Sequence, residues 1–195
     1  MPTVKAPTPR PFRWTVEKYD RLARGGFFDG RRVELIEGRI IEMPPQTEPH
    51  VLGVTLARQA VAKAFGDGYY VRPPAPIRQG ERSKPEPDVA VVPGNPRDYA
   101  KRDNPPGALL VIEVSDSSLR YDRGKKASLY AKHGIADYWI VNLVDRQLEV
   151  HRDPVADRAH PYGSRYANIQ ILKAPASIAP LAAAQAAISV ADLIP

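Results

Sequence analysis

Cysteine is absent from the 195-residue chain. This excludes a disulfide framework and any thiolate metal site, and nothing points to an oxidising compartment, so the cytoplasm is the expected location. Long apolar runs are absent too. No stretch approaches the roughly 18 residues of a membrane span, and the proline-rich start lacks the apolar core of a signal peptide, so no membrane partner is expected. There is no internal repeat and no block of like charge. The net charge is +6, which favours a polyanionic partner such as nucleic acid without requiring one. The basic residues are scattered through GGFFDGRR, IRQGERSK and LRYDRGKK.

What is present suits a folded protein. Apolar residues make up 43% and charged residues 26%, ordinary values for a globular chain. The length suits one sizeable core, read as an extended or disordered arm over 1–13 and a single domain over 14–195. Proline is in excess, 21 residues being roughly twice the usual share of about 5%. Its clusters at 2–11, 44–49, 73–76, 85–96 and 105–106 mark loops and strand edges.

The spacing of apolar residues predicts the elements. Thr15 is a candidate N-cap for TVEKYDRLARGG, with Val16, Tyr19 and Leu22 or Ala23 on one face and Gly25 and Gly26 as the stop. RRVELIEGRIIEMPP reads as a hairpin turning at Glu37-Gly38. Residues 51–65 carry Val51, Val54, Leu56 or Ala57, Val61 and Phe65 at helical spacing. Short strands are predicted at Tyr69–Arg72 and around Ile77. PDVAVVPG and ALLVIEVS read as strands buried on both faces. DRGKKASLYAKHG follows as a helix, with Asp122 as a possible cap and Gly134 as its stop. YWIVNL and QLEVHR form a second hairpin, a weaker strand region runs to about Leu172, and SVADLIP reads as a short final helix. The fold class is therefore mixed α/β, a central mixed sheet flanked by helices, with a strand-helix-strand crossover from LLVIEVS to YWIVNL.

The feature that points to chemistry is a carboxylate at the end of an apolar strand. In LLVIEVS, Glu113 shares a face with Val111 and Ser115, while Ile112 and Val114 point the other way. Asp88 in KPEPDVAVV also begins an apolar run, and if the two strands are neighbours the two acids converge. Read singly, either acid can simply end a strand and pair with a basic side chain. Two carboxylates plus water suit Mg2+, which takes only one or two protein carboxylates, and a bound metal can activate water and neutralise phosphodiester charge. Lys126 lies one turn after Asp122 and one turn before Tyr130, so these share a face, and Lys125 is the weaker candidate for a site cation. Trp14 and Trp139 read as core aromatics, and His133 as a cation at a helix end.

Pro87-Asp88, Ile112-Glu113-Val114-Ser115, Asp122 with Lys126 and Tyr130, Gly134 with Tyr138-Trp139, VELIEGRIIEMPP followed by His50, and ISVADLIP together resemble the Uma-type restriction-endonuclease-like family. This family belongs to the PD-(D/E)XK nuclease superfamily, and the similarity spans about 180 residues. The resemblance implies a restriction-endonuclease-like fold and a Mg2+ site, with Mn2+ able to substitute. Asp88, Glu113 and the Val114 carbonyl are the implied metal ligands. The superfamily's lysine stands two residues after the acid, where this chain has Ser115, so the role falls to Lys126 on the next helix. Glu34 is the best match for an upstream acid, and Glu37 at the turn the alternative. His50 can hydrogen-bond a phosphate or position Glu34, and equally can cap its helix. The implied activity is metal-dependent hydrolysis of DNA by a homodimer. The alternative is a catalytically silent nucleic-acid-binding or accessory protein. Target recognition would fall to loops 73–86 and 95–106.

Overall fold

In a computed structural model the chain is described over residues 9–100, 105 and 107–195. Residues 1–8 of the expected arm, and 101–104 and 106 of the second expected recognition loop, lie outside the described residues. The elements in chain order are α1 (Val16–Arg24), β1 (Val33–Ile36), β2 (Arg39–Glu42), α2 (Glu48–Phe65), β3 (Tyr69–Arg72), β4 (Val89–Pro93) and β5 (Leu110–Ser115). They continue as α3 (Leu119–Tyr121), a π-helical turn (Asp122–Lys126), α4 (Ala127–Lys132), β6 (Asp137–Asn142), β7 (Gln147–Ala156), β8 (Ser164–Leu172), β9 (Ser177–Ile178) and β10 (Ile188–Ser189).

Six strands form the central sheet in the order β3-β4-β5-β6-β7-β8. Only β5 and β6, joined by a helical crossover, run parallel; every other neighbouring pair in the sheet is antiparallel. All six residues of β5 and all six of β6 are buried, as expected of strands covered on both faces. On one face Leu110, Ile112, Val114 and Trp139 pack against Val54, Ala57, Val61 and Phe65 of α2 and against the C-terminal Val190 and Leu193. On the other, Val111, Tyr138 and Ile140 pack against Ala127, Tyr130 and Ala131. Fully burying one such aliphatic side chain contributes about 1.5–3 kcal/mol, so both layers hold the central strands in place.

The β1–β2 hairpin stands apart as a two-stranded sheet. Its turn places Glu37 at φ 49° and Gly38 at φ 75°, the twist that a two-residue hairpin requires. Leu35 anchors the hairpin against Val16 and Tyr19 of α1, and Leu22 is the half-buried residue of its two alternatives, Ala23 being exposed.

Several expectations need correction. The stretch around Ile77 is not a strand: its order comes from an isolated bridge between Gln79 and Ser83 and from Ile77 N–H donating to the Pro85 carbonyl, since prolines 73, 74 and 76 bring no donors. The second helix starts earlier, at Glu48, and Val51 is exposed rather than part of its buried face. SVADLIP makes only a single 3-10 turn, Val190–Asp192. Trp139 is fully buried, whereas Trp14 is half-buried against the hairpin layer. Glu37 is not simply an exposed turn residue, because its carboxylate accepts from Lys132 at 2.7 Å and from Ser83 at 3.3 Å.

Candidate active site

Asp88 and Glu113 meet through strand register. β4 and β5 are antiparallel with Val89 opposite Ile112, so one step further sets Asp88 opposite Glu113. Pro87 has no N–H to continue the ladder, and Asp88 turns its side chain to the strand end instead. Its Oδ2 accepts from the Val114 backbone N–H at 2.8 Å. Because N–H and C=O of one strand residue point to the same side, the Val114 carbonyl faces this edge too.

α2 contributes His50. Thr47 caps this helix and accepts from the His50 backbone N–H, so His50 is not the cap and its ring is free to turn inward. Its Nε2 lies 3.2 Å from Asp88 Oδ1 and 3.1 Å from the Gln46 side-chain amide. One turn on, Gly53 allows the close approach: a Cβ there would come within 2.8 Å of Val114 Cγ1. Burial opposes charge on the His50 ring, but the hydrogen bond and negative charge of Asp88 outweigh it and raise its pKa.

The crossover supplies the cation. Asp122 does not cap the helix. It lies inside the π-helical turn, accepting from Ser115 Oγ at 2.7 Å and Ser118 Oγ at 2.6 Å. The wide turn, in which Ala127 N–H reaches back to the Asp122 carbonyl, resets the helical phase so that Asp122, Lys126 and Tyr130 are all buried toward β5. Lys126 Nζ donates to Glu113 Oε1 and to Glu34 Oε1, each at 2.9 Å. Tyr130 Oη donates to the same Glu113 oxygen at 2.6 Å. Lys125 faces solvent, its Nζ 5.7 Å from the Tyr121 ring centroid.

The electrostatics are lopsided. Glu34, Asp88, Glu113, Asp122 and Lys126 are all buried, so four carboxylates surround one ammonium. Burial pushes the Glu113 carboxyl well up against the pull of Lys126. Burial likewise raises Asp122, offset in part by Lys126 and by hydrogen bonds from Ser118 and Ser115. Burial disfavours charge on Lys126, yet Glu113, Glu34 and Asp122 together hold it protonated well above the usual lysine range. Among the described residues, Glu34 Oε2 is buried without a hydrogen-bond partner. A cleft runs from this cluster to the surface, with Arg32, Gln46, Glu86 and Asp116 at its walls.

The structure thus brings Glu34, His50, Asp88, Glu113, Val114 and Lys126 into one site. Sequence reasoning overlooked Arg32 and Gln46, which carry no motif of their own, and misread Asp122 as a cap. Tyr130 was placed on the right face without its bond to Glu113. Among the described residues, no three His, Asp or Glu side chains form a ready metal cage. Mg2+ does not demand one, since it keeps several waters.

A family profile described as "Putative restriction endonuclease", Uma2, matches residues 16–191. The chain belongs to this family. A crystal structure described as "a putative nuclease belonging to DUF820 from Anabaena variabilis ATCC 29413" superposes with a TM-score of 0.68 at 16% identity, over 92% of this chain and 97% of that one. At that identity the likeness shows a shared fold. No curated protein matches the chain. Among the described residues, no helix is long and apolar enough to cross a membrane.

Proposed function

We propose that the Uma2-family chain is a metal-dependent nuclease that hydrolyses DNA phosphodiester bonds in the cytoplasm, acting as a two-fold dimer. The observation that carries this reading is the excess of buried carboxylates gathered at the end of β4 and β5 and on the facing hairpin, where Glu34 Oε2 has no hydrogen-bond donor among the described residues. Asp88, Glu113 and the Val114 carbonyl would hold Mg2+, or Mn2+ in its place. When bound, the metal supplies Lewis acidity toward a phosphate oxygen and toward water.

This chain's own residues do the positioning. The Lys126 ammonium has three N–H donors; two are taken by Glu34 and Glu113, and the third is left for a water or phosphate oxygen in the cleft that Lys126 lines. Glu34 fixes the direction of that ammonium from the hairpin side. His50 and the Val114 N–H hold the two oxygens of Asp88. Arg32, its Nη1 3.3 Å from the Pro44 carbonyl at the cleft wall, stands where an entering phosphate first meets positive charge.

The test is nicking of plasmid DNA in Mg2+ or Mn2+ by wild type, Asp88→Asn and Glu113→Gln. The expected result is metal-dependent nicking that falls about a thousandfold in either variant, the range for removing a principal electrostatic contact. No nicking by wild type on duplex, single-stranded or branched DNA would overturn the enzyme reading. DNA binding that persists without cleavage would favour a catalytically silent binder, which the serine at position 115 in place of the superfamily lysine makes worth distinguishing.

A further inference from the structure

A second charged groove lies beside the site, and the proposed chemistry does not use it. Its walls come from separate segments: Arg13 precedes α1, Arg39 opens β2, Arg82 lies in the loop after β3, Lys125 sits in the π-helical turn and Tyr162 precedes β8. Five distant stretches of chain therefore place four cations and one aromatic ring around one depression. Among the described residues, Arg39, Arg82 and Lys125 form no ion pair. Arg13 spends one N–H on the Glu37 backbone carbonyl at 3.3 Å. The single carboxylate in the wall, Glu37, is already neutralised by Lys132. Unpaired guanidinium groups and an ammonium held together in this way repel one another and are most stable with polyanionic charge between them.

The groove is tied to the site at two points. Lys125 immediately precedes Lys126. In the β1–β2 hairpin, Glu34 pairs with Ile41 and Ile36 with Arg39, so Arg39 and Ile41 share the face of Glu34 while lining the groove. Glu34 and Lys126 line the acidic cleft, and their neighbours on the hairpin and in the turn line the basic groove. Through Arg13 and Arg82 the groove continues into a second depression lined by Arg10 and Phe12, and Phe12 is 62% exposed. A positively charged track with aromatic faces along it suits a nucleic-acid strand, whose phosphates meet the cations and whose unpaired bases meet the rings.

From this arrangement we infer that the Arg13–Arg39–Arg82–Lys125 groove binds the phosphodiester backbone of the nucleic acid whose scissile bond enters the acidic cleft. Contact with the backbone is independent of base sequence, so the groove sets affinity and direction of the strand rather than target choice. The inference rests on nucleic acid being the substrate of the neighbouring site.

The experiment uses the full chain carrying Glu113→Gln, so that cleavage does not enter. Binding of fluorescent duplex and single-stranded DNA is followed by anisotropy across a salt series in EDTA, for that protein, for a derivative with Arg39→Ala, Arg82→Ala and Lys125→Ala, and for a control derivative with Arg24→Ala, Arg58→Ala and Lys63→Ala. Circular dichroism confirms that all three fold. Each phosphate contact contributes about 0.9 (duplex) or 0.7 (single strand) to the slope of log K against log salt. The groove derivative is therefore expected to lose roughly two to three units of slope and at least about tenfold in affinity, while the control keeps the parent slope. The strand type that loses more is the one the groove holds. Equal losses in the two derivatives would reduce the effect to net charge and overturn the inference. A groove derivative that binds like the parent would overturn it while leaving the nucleic-acid reading intact. Absence of DNA binding by the parent, or binding only to phosphatidylserine vesicles, would remove that reading and the groove with it.

Discussion

Lys125 and Lys126 are neighbours in the chain and end in opposite surroundings. Lys126 is fully buried, bonded to two carboxylates, and its charge is a condition of the fold. Lys125 is solvent-exposed in a groove of other cations, and its charge is available to a partner. The acidic cluster has buried charges that are mostly bonded to one another, at the inner end of a cleft, and it is assembled from a strand edge, a hairpin and the crossover. The basic groove is open, and its charges are held by surface segments. The lesson is that a side chain's burial and counter-charges, more than its residue type, decide whether it serves structure and chemistry or recognition.

The largest expected effect is at Lys126. Lys126→Ala leaves Glu34 and Glu113 buried without their shared cation, so chemical denaturation is expected to show a loss of about 3–5 kcal/mol, the range for removing one partner of a buried pair. A change under 1 kcal/mol would mean that the cluster is solvated or already protonated, and the contrast with Lys125 would fail.

Next comes Gly53→Ala, which probes how the helix delivers His50. The added Cβ must displace Val114 or move α2; overpacking of this kind costs about 1–3 kcal/mol, reduced by the roughly 1 kcal/mol gain in helix propensity over glycine. The His50 ring resonances should shift with it, and unchanged resonances would show that α2 does not set the His50–Asp88 contact.

Glu37 tests the boundary between the two regions. His133 at 3.9 Å and Lys132 at 2.7 Å lower its pKa to about 2 against the opposing effect of burial; the shorter Lys132 contact is the firmer of the two. The folded-state value lies below the ordinary carboxylate value, so this stabilisation is present above that value and is lost as pH falls through it toward about 2. Glu37→Gln should therefore be less stable than wild type to denaturation at pH 6, by a difference on the order of 1 kcal/mol, and the gap should shrink as pH falls through about 2. A gap that does not shrink on acidification would assign its cause to packing. The smallest effect belongs to Lys125→Ala, expected to leave stability within about 0.5 kcal/mol as for other exposed positions, in direct contrast to its neighbour.

Much of this was legible in the chain because it rests on local signals. The alternation in LLVIEVS assigned Glu113 to the face of Val111 and Ser115. The periodicity of KKASLYAKHG assigned Lys126 and Tyr130 to one side, and Glu37-Gly38 marked the hairpin turn. The readings that failed were those in which distant contacts override local preference. Asp122 has the residue type of a cap but is held by two serines inside a widened turn, and Ile77 has the residue type of a strand but stands among prolines that cannot donate to a ladder. GGFFDGRR, IRQGERSK and LRYDRGKK hold Arg32, Arg82 and Lys125, but nothing local says which of these cations meet, or that Gln46 joins the site, because each alone is an ordinary surface residue.

By itself the sequence determined most of the elements, the family and the carboxylates worth watching, since periodicity, turn chemistry and motif order act over a few residues at a time. Only the tertiary structure decided which carboxylates share a lysine, that His50 turns to Asp88 and not to its own helix end, and that four scattered cations face one groove. Those outcomes depend on long-range approach, on desolvation and on the sum of charges at one place, quantities that no short stretch of chain contains.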